Sequence, residues 1–319
     1  SNLYRIPAQE SLAQRLCELS GMENVFFSNS GAEANEAAIK IARLYGSRKQ
    51  IARPTVIVME GSFHGRTMAT LSATANAKVQ EGFAPLLDGF IRVPFNDLAA
   101  VEALADNHDI VAVLVEPVQG EGGIQIPAND YLAGLRTLCD RNDWLLMLDE
   151  IQSGNGRTGN YFACLGAGIT PDVLTTAKGL GNGFPIGACL VAGKADGVFG
   201  PGNHGSTYGG NPLGCATALT VVNTLTDDII DGVADKGAWL KDAFTQAFSD
   251  LPMVTEIRQQ GLMLGIQLDR PCAELVNRAR DAGLLINVTA GSVVRLLPPL
   301  VISQAEMQHL VNTLPLIPI

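Results

Sequence analysis

One lysine stands where an amine could act as a nucleophile. Lys178 lies between an apolar run, Asp172-Val173-Leu174-Thr175-Thr176, and a glycine-rich turn, Gly179-Leu180-Gly181-Asn182-Gly183, that leads into a second apolar run. Glycines keep the neighbouring backbone small and free to turn, so one amine can project from the end of a strand. An unprotonated primary amine in that place can condense with an aldehyde to form a Schiff base. A solvated lysine in a turn is the plain alternative.

Other residues change the balance. The run Trp144-Leu145-Leu146-Met147-Leu148 has the pattern of a buried strand and ends in Asp149. An acid there is costly unless something pairs with it, and a protonated heteroaromatic nitrogen would serve; a surface turn starting at Asp149 is the alternative. Ser30-Gly31-Ala32 opens a helix with very small residues. Exposed N–H groups and the helix dipole make such a start an anion site suited to a phosphate, or simply a serine-capped helix. It is neither a GxGxxG nor a Walker loop, so no dinucleotide or ATP is indicated. Phe63-His64-Gly65-Arg66-Thr67 follows one predicted strand and Glu116-Pro117-Val118-Gln119-Gly120-Glu121 another. Open α/β sheets place ligands at such strand ends.

The elements that must position these residues alternate. Strands are predicted at Val25–Phe27, Thr55–Met59, Phe90–Val93, Ile110–Val115, Trp144–Leu148, Asp172–Thr176 and Ile186–Ala192, with helices between them. The pattern predicts an α/β protein, a mostly parallel central sheet with helices on both faces, and a smaller C-terminal α+β domain. The boundary is placed near Thr226, giving a large domain over 1–226 and a small one over 227–319. The small domain is expected to hold antiparallel strands Val254–Gln259 and Met263–Leu268, a strand at Leu284–Val288, and a last helix opened by the capping box Ser303-Gln304-Ala305-Glu306.

Composition bounds the partners. The chain has 319 residues, 47% of them hydrophobic, and a formal net charge of -10, with a pI of about 4.9. That charge argues against a nucleic acid or an anionic membrane, and an anionic substrate must meet locally clustered arginines. Six dispersed cysteines without CxxC pairs read as reduced core thiols of a cytoplasmic protein, with no metal site indicated. No apolar run approaches the roughly 20 residues of a membrane span. The chain opens at Ser1-Asn2-Leu3-Tyr4 without an initiator methionine, which predicts a truncated start.

Taken together, the motifs resemble those of the class III (ornithine/acetylornithine-type) aminotransferases, which use pyridoxal 5′-phosphate on the fold-type I architecture. The resemblance rests on Asn29-Ser30-Gly31-Ala32-Glu33-Ala34-Asn35, Phe63–Thr67, Glu116–Glu121, Leu148-Asp149-Glu150-Ile151-Gln152-Ser153-Gly154, Ala177-Lys178-Gly179 and Gly205-Ser206-Thr207-Tyr208-Gly209-Gly210-Asn211-Pro212. It implies that Lys178 binds the cofactor's aldehyde and that Asp149 pairs with its ring nitrogen. It implies phosphate contacts from Ser30, Gly31 and Ala32, stacking by Phe63, and a hydrogen bond from Gln152 near the ring oxygen. His64 belongs to the same cofactor site, with a structural role left open. Thr207 is expected to reach the phosphate of a neighbouring subunit's cofactor, hence a homodimer with shared active sites. Arg66, Ser206, Glu121 and Arg295 are assigned to substrate. The resemblance further implies transfer of the ω-amino group of N2-acetyl-L-ornithine to 2-oxoglutarate. Succinylornithine, ornithine, 4-aminobutyrate or succinyl-diaminopimelate are alternative donors, and an aminomutase of the same fold is a more distant one. The family carries a further N-terminal segment that supplies part of the substrate pocket, and this chain is read as starting after it.

Overall fold

The computed structural model describes residues 3–318. Ser1 and Asn2, which open the stretch read as a truncated start, and Ile319 lie outside the described residues. The chain divides into two units: Ser1–Pro117, Pro127–Asn155 and Tyr161–Leu225 make the first, and Val118–Ile126, Gly156–Asn160 and Thr226–Ile319 the second. A single break near Thr226 does not provide for the two short segments of the second unit.

The first unit begins with α1 (Pro7–Ser20), β1 (Asn24–Ser28), α2 (Gly31–Arg48) and β2 (Thr55–Met59). Two short helices, α3 (Met68–Ala73) and α4 (Ala77–Gln80), precede β3 (Phe90–Val93), α5 (Leu98–Glu102) and β4 (Ile110–Val115). Then come α6 (Tyr131–Arg141), β5 (Leu145–Asp149), α7 (Ala163–Gly166), β6 (Val173–Thr176), β7 (Gly187–Val191) and α8 (Pro212–Thr224). The seven strands form one sheet in the order β1-β7-β6-β5-β4-β2-β3. Strands β2 to β6 pair in parallel, and β7 runs antiparallel to both β6 and β1. It follows that β1 runs in the same direction as β2 to β6, and β7 alone is reversed.

Every residue of β4 and β5 is buried, as a strand covered on both faces requires. Ala112, Leu114, Leu145 and Met147 pack with Ala37, Ala38, Ile39, Ile41 and Ala42 of α2. Their neighbours Val113, Val115, Leu146 and Leu148 point to the opposite face and are buried as well. The alanines of α2 have a purpose in this: small side chains bring its axis close to the sheet.

The second unit contains α9 (Asp227–Ala247), β8 (Val254–Gln260), β9 (Met263–Leu268), α10 (Leu275–Asp281), β10 (Asn287–Thr289), β11 (Val293–Leu296) and α11 (Gln304–Thr313). Its four strands are antiparallel in the order β10-β11-β9-β8. The capping box at Ser303 and Glu306 is present in full. The expected strand at Leu284–Val288 is shorter than predicted and starts at Asn287. Leu284 is buried but Leu285 is 92% exposed, and ladder pairing begins only where the β10–β11 hairpin closes.

Candidate active site

Because β7 alone is reversed, the C-terminal ends of β1, β2, β4, β5 and β6 share one edge of the sheet. Ser30, Phe63, Glu116, Asp149 and Lys178 all follow or end those strands. Lys178 is exposed there and holds a left-handed backbone, φ 45°. That conformation costs a residue with a side chain roughly 1–2 kcal/mol, so the surroundings must hold it. Asn155 does so, donating to Thr176 Oγ1 at 2.9 Å and to the Ala177 carbonyl at 3.3 Å. Gly181 allows the turn to close, since a Cβ there would stand 2.1 Å from the Phe184 carbonyl oxygen.

Asp149 is 4% exposed and is met by donors on both oxygens. Asn35 Nδ2 donates to Oδ2 at 2.8 Å, and His64 Nδ1 also lies 2.8 Å from Oδ2. The Ile151 N–H donates to Oδ1 at 3.1 Å. His64 is therefore joined to the acid at the strand end. Phe63 is half-buried, and its backbone N–H donates to Glu116 Oε1 at 2.9 Å. Arg66, on the same loop, is exposed and is not drawn into this network.

At the start of α2 the Ser30 hydroxyl accepts from the Glu33 N–H at 3.2 Å. Two glycines shape the place. A Cβ on Gly31 would lie 2.7 Å from Ile151 Cδ1, and one on Gly187 would lie 2.4 Å from the Ser30 carbonyl oxygen. Gln152 follows Ile151 and is half-buried, while Thr207 is exposed. The Ser206 hydroxyl is engaged within its own surroundings, accepting from Asn29 Nδ2 at 3.2 Å and from the Gly209 N–H at 3.0 Å.

In the second unit, Arg295 on β11 is 9% exposed. Its Nη1 donates to Glu121 Oε1 at 2.7 Å. The loop bearing Glu121 is tied down independently: Arg258 donates to the Gly123 carbonyl at 2.8 Å and the Ile124 carbonyl at 3.1 Å. The Thr289 hydroxyl donates to the Glu121 carbonyl.

Sequence reasoning missed Asn35, Thr175, Glu150 and Glu36. Glu150 is fully buried, accepting from the Cys164 N–H, the Ala163 N–H and the Ser153 hydroxyl, each at 2.8 Å. Burial pushes its carboxyl up, against the opposing pull of those donors. Glu36 accepts from the Thr67 hydroxyl and from the Ala69 N–H at 3.2 Å, which fixes the loop after His64. The available signal was Asn35-Glu36 itself, two polar residues inside an alanine-rich helix face.

This edge fits pyridoxal 5′-phosphate. An amine, a buried carboxylate, an aromatic face and the N-terminus of an 18-residue helix answer the aldehyde, ring nitrogen, ring and phosphate in turn. The description Aminotransferase class-III matches residues 1–317. The chain belongs to that family, and it is a pyridoxal-phosphate-dependent aminotransferase.

Among its relatives is the acetylornithine aminotransferase of Nitrosomonas europaea, 55% identical over 98% of this chain and 80% of that protein. The solved ornithine aminotransferase of Toxoplasma gondii superposes with a TM-score of 0.94 at 32% identity, covering 98% of this chain and 76% of that one. The N-acetylornithine aminotransferase of Stenotrophomonas maltophilia gives 0.84 at 34% identity, covering 98% and 79%.

Proposed function

We propose that the enzyme moves the ω-amino group of N2-acetyl-L-ornithine to 2-oxoglutarate, giving N-acetylglutamate 5-semialdehyde and L-glutamate. The observation that carries this reading is the 2.7 Å ion pair between Arg295 and Glu121. An ω-amine donor brings no carboxylate next to its reacting carbon, whereas 2-oxoglutarate does. An arginine paired with an internal glutamate can serve the first and, once released, bind the second through its planar fork. An aminomutase has no second dicarboxylate to accommodate. The relatives named acetylornithine aminotransferase, 55% and 52% identical to this chain, support the choice of donor.

Bound pyridoxal phosphate supplies an aldehyde that takes the amino group and a ring that withdraws electrons from the reacting carbon. The residues do the rest. Lys178 would hold the aldehyde through its amine and, when not so engaged, would carry a proton to and from the donor's reacting carbon. Asp149 pairs with the ring nitrogen, Phe63 covers the ring, and Gln152 donates near its 3-oxygen. Ser30, Gly31 and Ala32 hold the phosphate. Arg66 takes the distal α-carboxylate of the donor, and Ser206 borders it. Thr207 serves the phosphate of a partner subunit's cofactor, so the working form is a homodimer. Six free cysteines, five of them buried, support a cytoplasmic location, and no helix among the described residues is long and apolar enough to cross a membrane.

A screen of ω-amine donors against 2-oxoglutarate tests the proposal, with turnover expected to be highest on N2-acetyl-L-ornithine. Preference for succinylornithine, ornithine, 4-aminobutyrate or succinyl-diaminopimelate would reassign the donor, and turnover without any 2-oxo acid would indicate a mutase. Lys178→Ala should lower turnover by at least ~100-fold and remove the pH-sensitive near-visible absorbance. A variant with normal turnover refutes the role.

A further inference from the structure

Asp149 is held by more than its own strand. Its Oδ2 faces both Asn35 Nδ2 and His64 Nδ1, each at 2.8 Å, whereas Oδ1 accepts from the Ile151 N–H at 3.1 Å. With His64 carrying its proton on Nδ1, the tautomer that an ionised carboxylate at 2.8 Å requires, two donors use the capacity of Oδ2, and Oδ1 is the oxygen with a lone pair to spare.

Asn35 is fully buried, and every polar atom of its amide is engaged. One N–H goes to Asp149 and the other to the His64 carbonyl at 2.8 Å. Its Oδ1 accepts from the Thr175 hydroxyl at 2.7 Å. A reversed amide would set its oxygen against the carboxylate and the His64 carbonyl together, two acceptor–acceptor contacts. Those two acceptors set the orientation, and the Thr175 hydroxyl, from the strand that ends beside Lys178, then holds the amide oxygen in place. Asn35 sits five residues into α2, the helix whose first residues form the anion site. Glu36, next to it, holds the loop that carries His64.

We propose that Asn35, its amide oxygen held by Thr175, is a positioning residue for the transamination: it occupies Oδ2 of Asp149 and leaves Oδ1 for the cofactor's ring nitrogen. This rests on the role given to Asp149 above. It also gives α2 a double task, since one rigid helix sets both the phosphate and the partner of the ring nitrogen.

The test uses the full-length holoenzyme with four substitutions: Asn35→Leu, Thr175→Val, Thr175→Ser and Asp149→Asn. The readouts are absorbance of the bound cofactor across pH, its rate of loss on dilution, the single-turnover half-reaction with glutamate, and thermal unfolding of the apoprotein. Asn35→Leu should speed cofactor loss and slow the half-reaction by at least about tenfold, the effect of one lost hydrogen bond to a charged group, and Thr175→Val, which removes a neutral one, should do both by about fivefold. Apparent affinity for glutamate should not change. Thr175→Ser keeps the hydroxyl and should stay within about twofold of the wild type on both. A purely structural asparagine would lower the unfolding temperature and leave absorbance and cofactor retention alone; that result overturns the proposal. Equal impairment in Thr175→Val and Thr175→Ser overturns it too, because the hydroxyl would then be irrelevant. If Asn35→Leu does not fold, the Thr175 pair decides. Should Asp149→Asn keep wild-type absorbance and half-reaction, the role of Asp149 falls and the inference with it. Should Asp149→Asn fail while Asn35→Leu and Thr175→Val behave as wild type, the inference alone falls.

Discussion

Arg295 is held 2.7 Å from Glu121, and the proposed reaction asks it to let go once in each cycle. At 9% exposure it has little water to replace that partner, so release must coincide with arrival of another carboxylate. Arg295→Ala should therefore slow the 2-oxoglutarate half-reaction by roughly 10- to 100-fold, the worth of a hydrogen bond between charged groups, and spare the ω-amine half-reaction. Single-turnover kinetics separates the two halves; equal slowing of both would leave the arginine a structural role only. Glu121→Ala removes this internal carboxylate for good, so glutamate should become a better first donor and the ω-amine a poorer one. The sequence made this pair legible through residue types, as it did Lys178 and Asp149. Asn35 was hidden because nothing in an alanine-rich helix tells which distant carboxylate its amide will meet.

Among the elements, the strands Thr55–Met59, Phe90–Val93 and Ile110–Val115 can be read from the sequence to the residue. Their runs are bounded by turn formers, and burial of Thr55–Met59 and Ile110–Val115 on both faces leaves those two no freedom of register. The short helices Met68–Ala73 and Ala163–Gly166 cannot be read so. Their first N–H groups are met by carboxylates from elsewhere: Glu36 caps the former, and Glu150 the latter. Such a cap is invisible to local periodicity. Glu150→Gln tests how much the second one contributes. An amide nitrogen would face N–H groups that now find an acceptor, and the protein should lose about 1–3 kcal/mol in urea unfolding. Burial holds this carboxyl above its ordinary value of 4.5, so the folded state binds that proton more readily than the unfolded one. The stability it contributes is fully present below the unfolded value and is lost as pH rises through the folded one. The margin of the wild type over Glu150→Gln should accordingly narrow from mildly acid to neutral pH, and a margin that widens would reverse this sign.

For the whole molecule, the loop around Thr207 is the place to test assembly. Tyr208 is 71% exposed and Leu213 65% exposed, and burying one such side chain is worth roughly 1.5–3 kcal/mol. A homodimer that covers them should sediment as twice the chain mass of 33.7 kDa, and Leu213→Glu should shift it toward monomer with loss of turnover. A wild-type monomer that turns over normally would contradict the shared site. The second unit carries a different consequence, one for synthesis. Val118–Ile126 and Gly156–Asn160 belong with residues that follow Thr226. On the ribosome Glu121 emerges roughly 170 residues ahead of Arg295, a wait of ~9–35 s at about 5–20 residues per second. Until Arg258 and Arg295 arrive, the Gly123 and Ile124 carbonyls and the Glu121 carboxylate lack the cations that later hold them. Translation speed between the Glu121 and Arg295 codons thus sets how long the nascent chain must keep that loop from wrong partners.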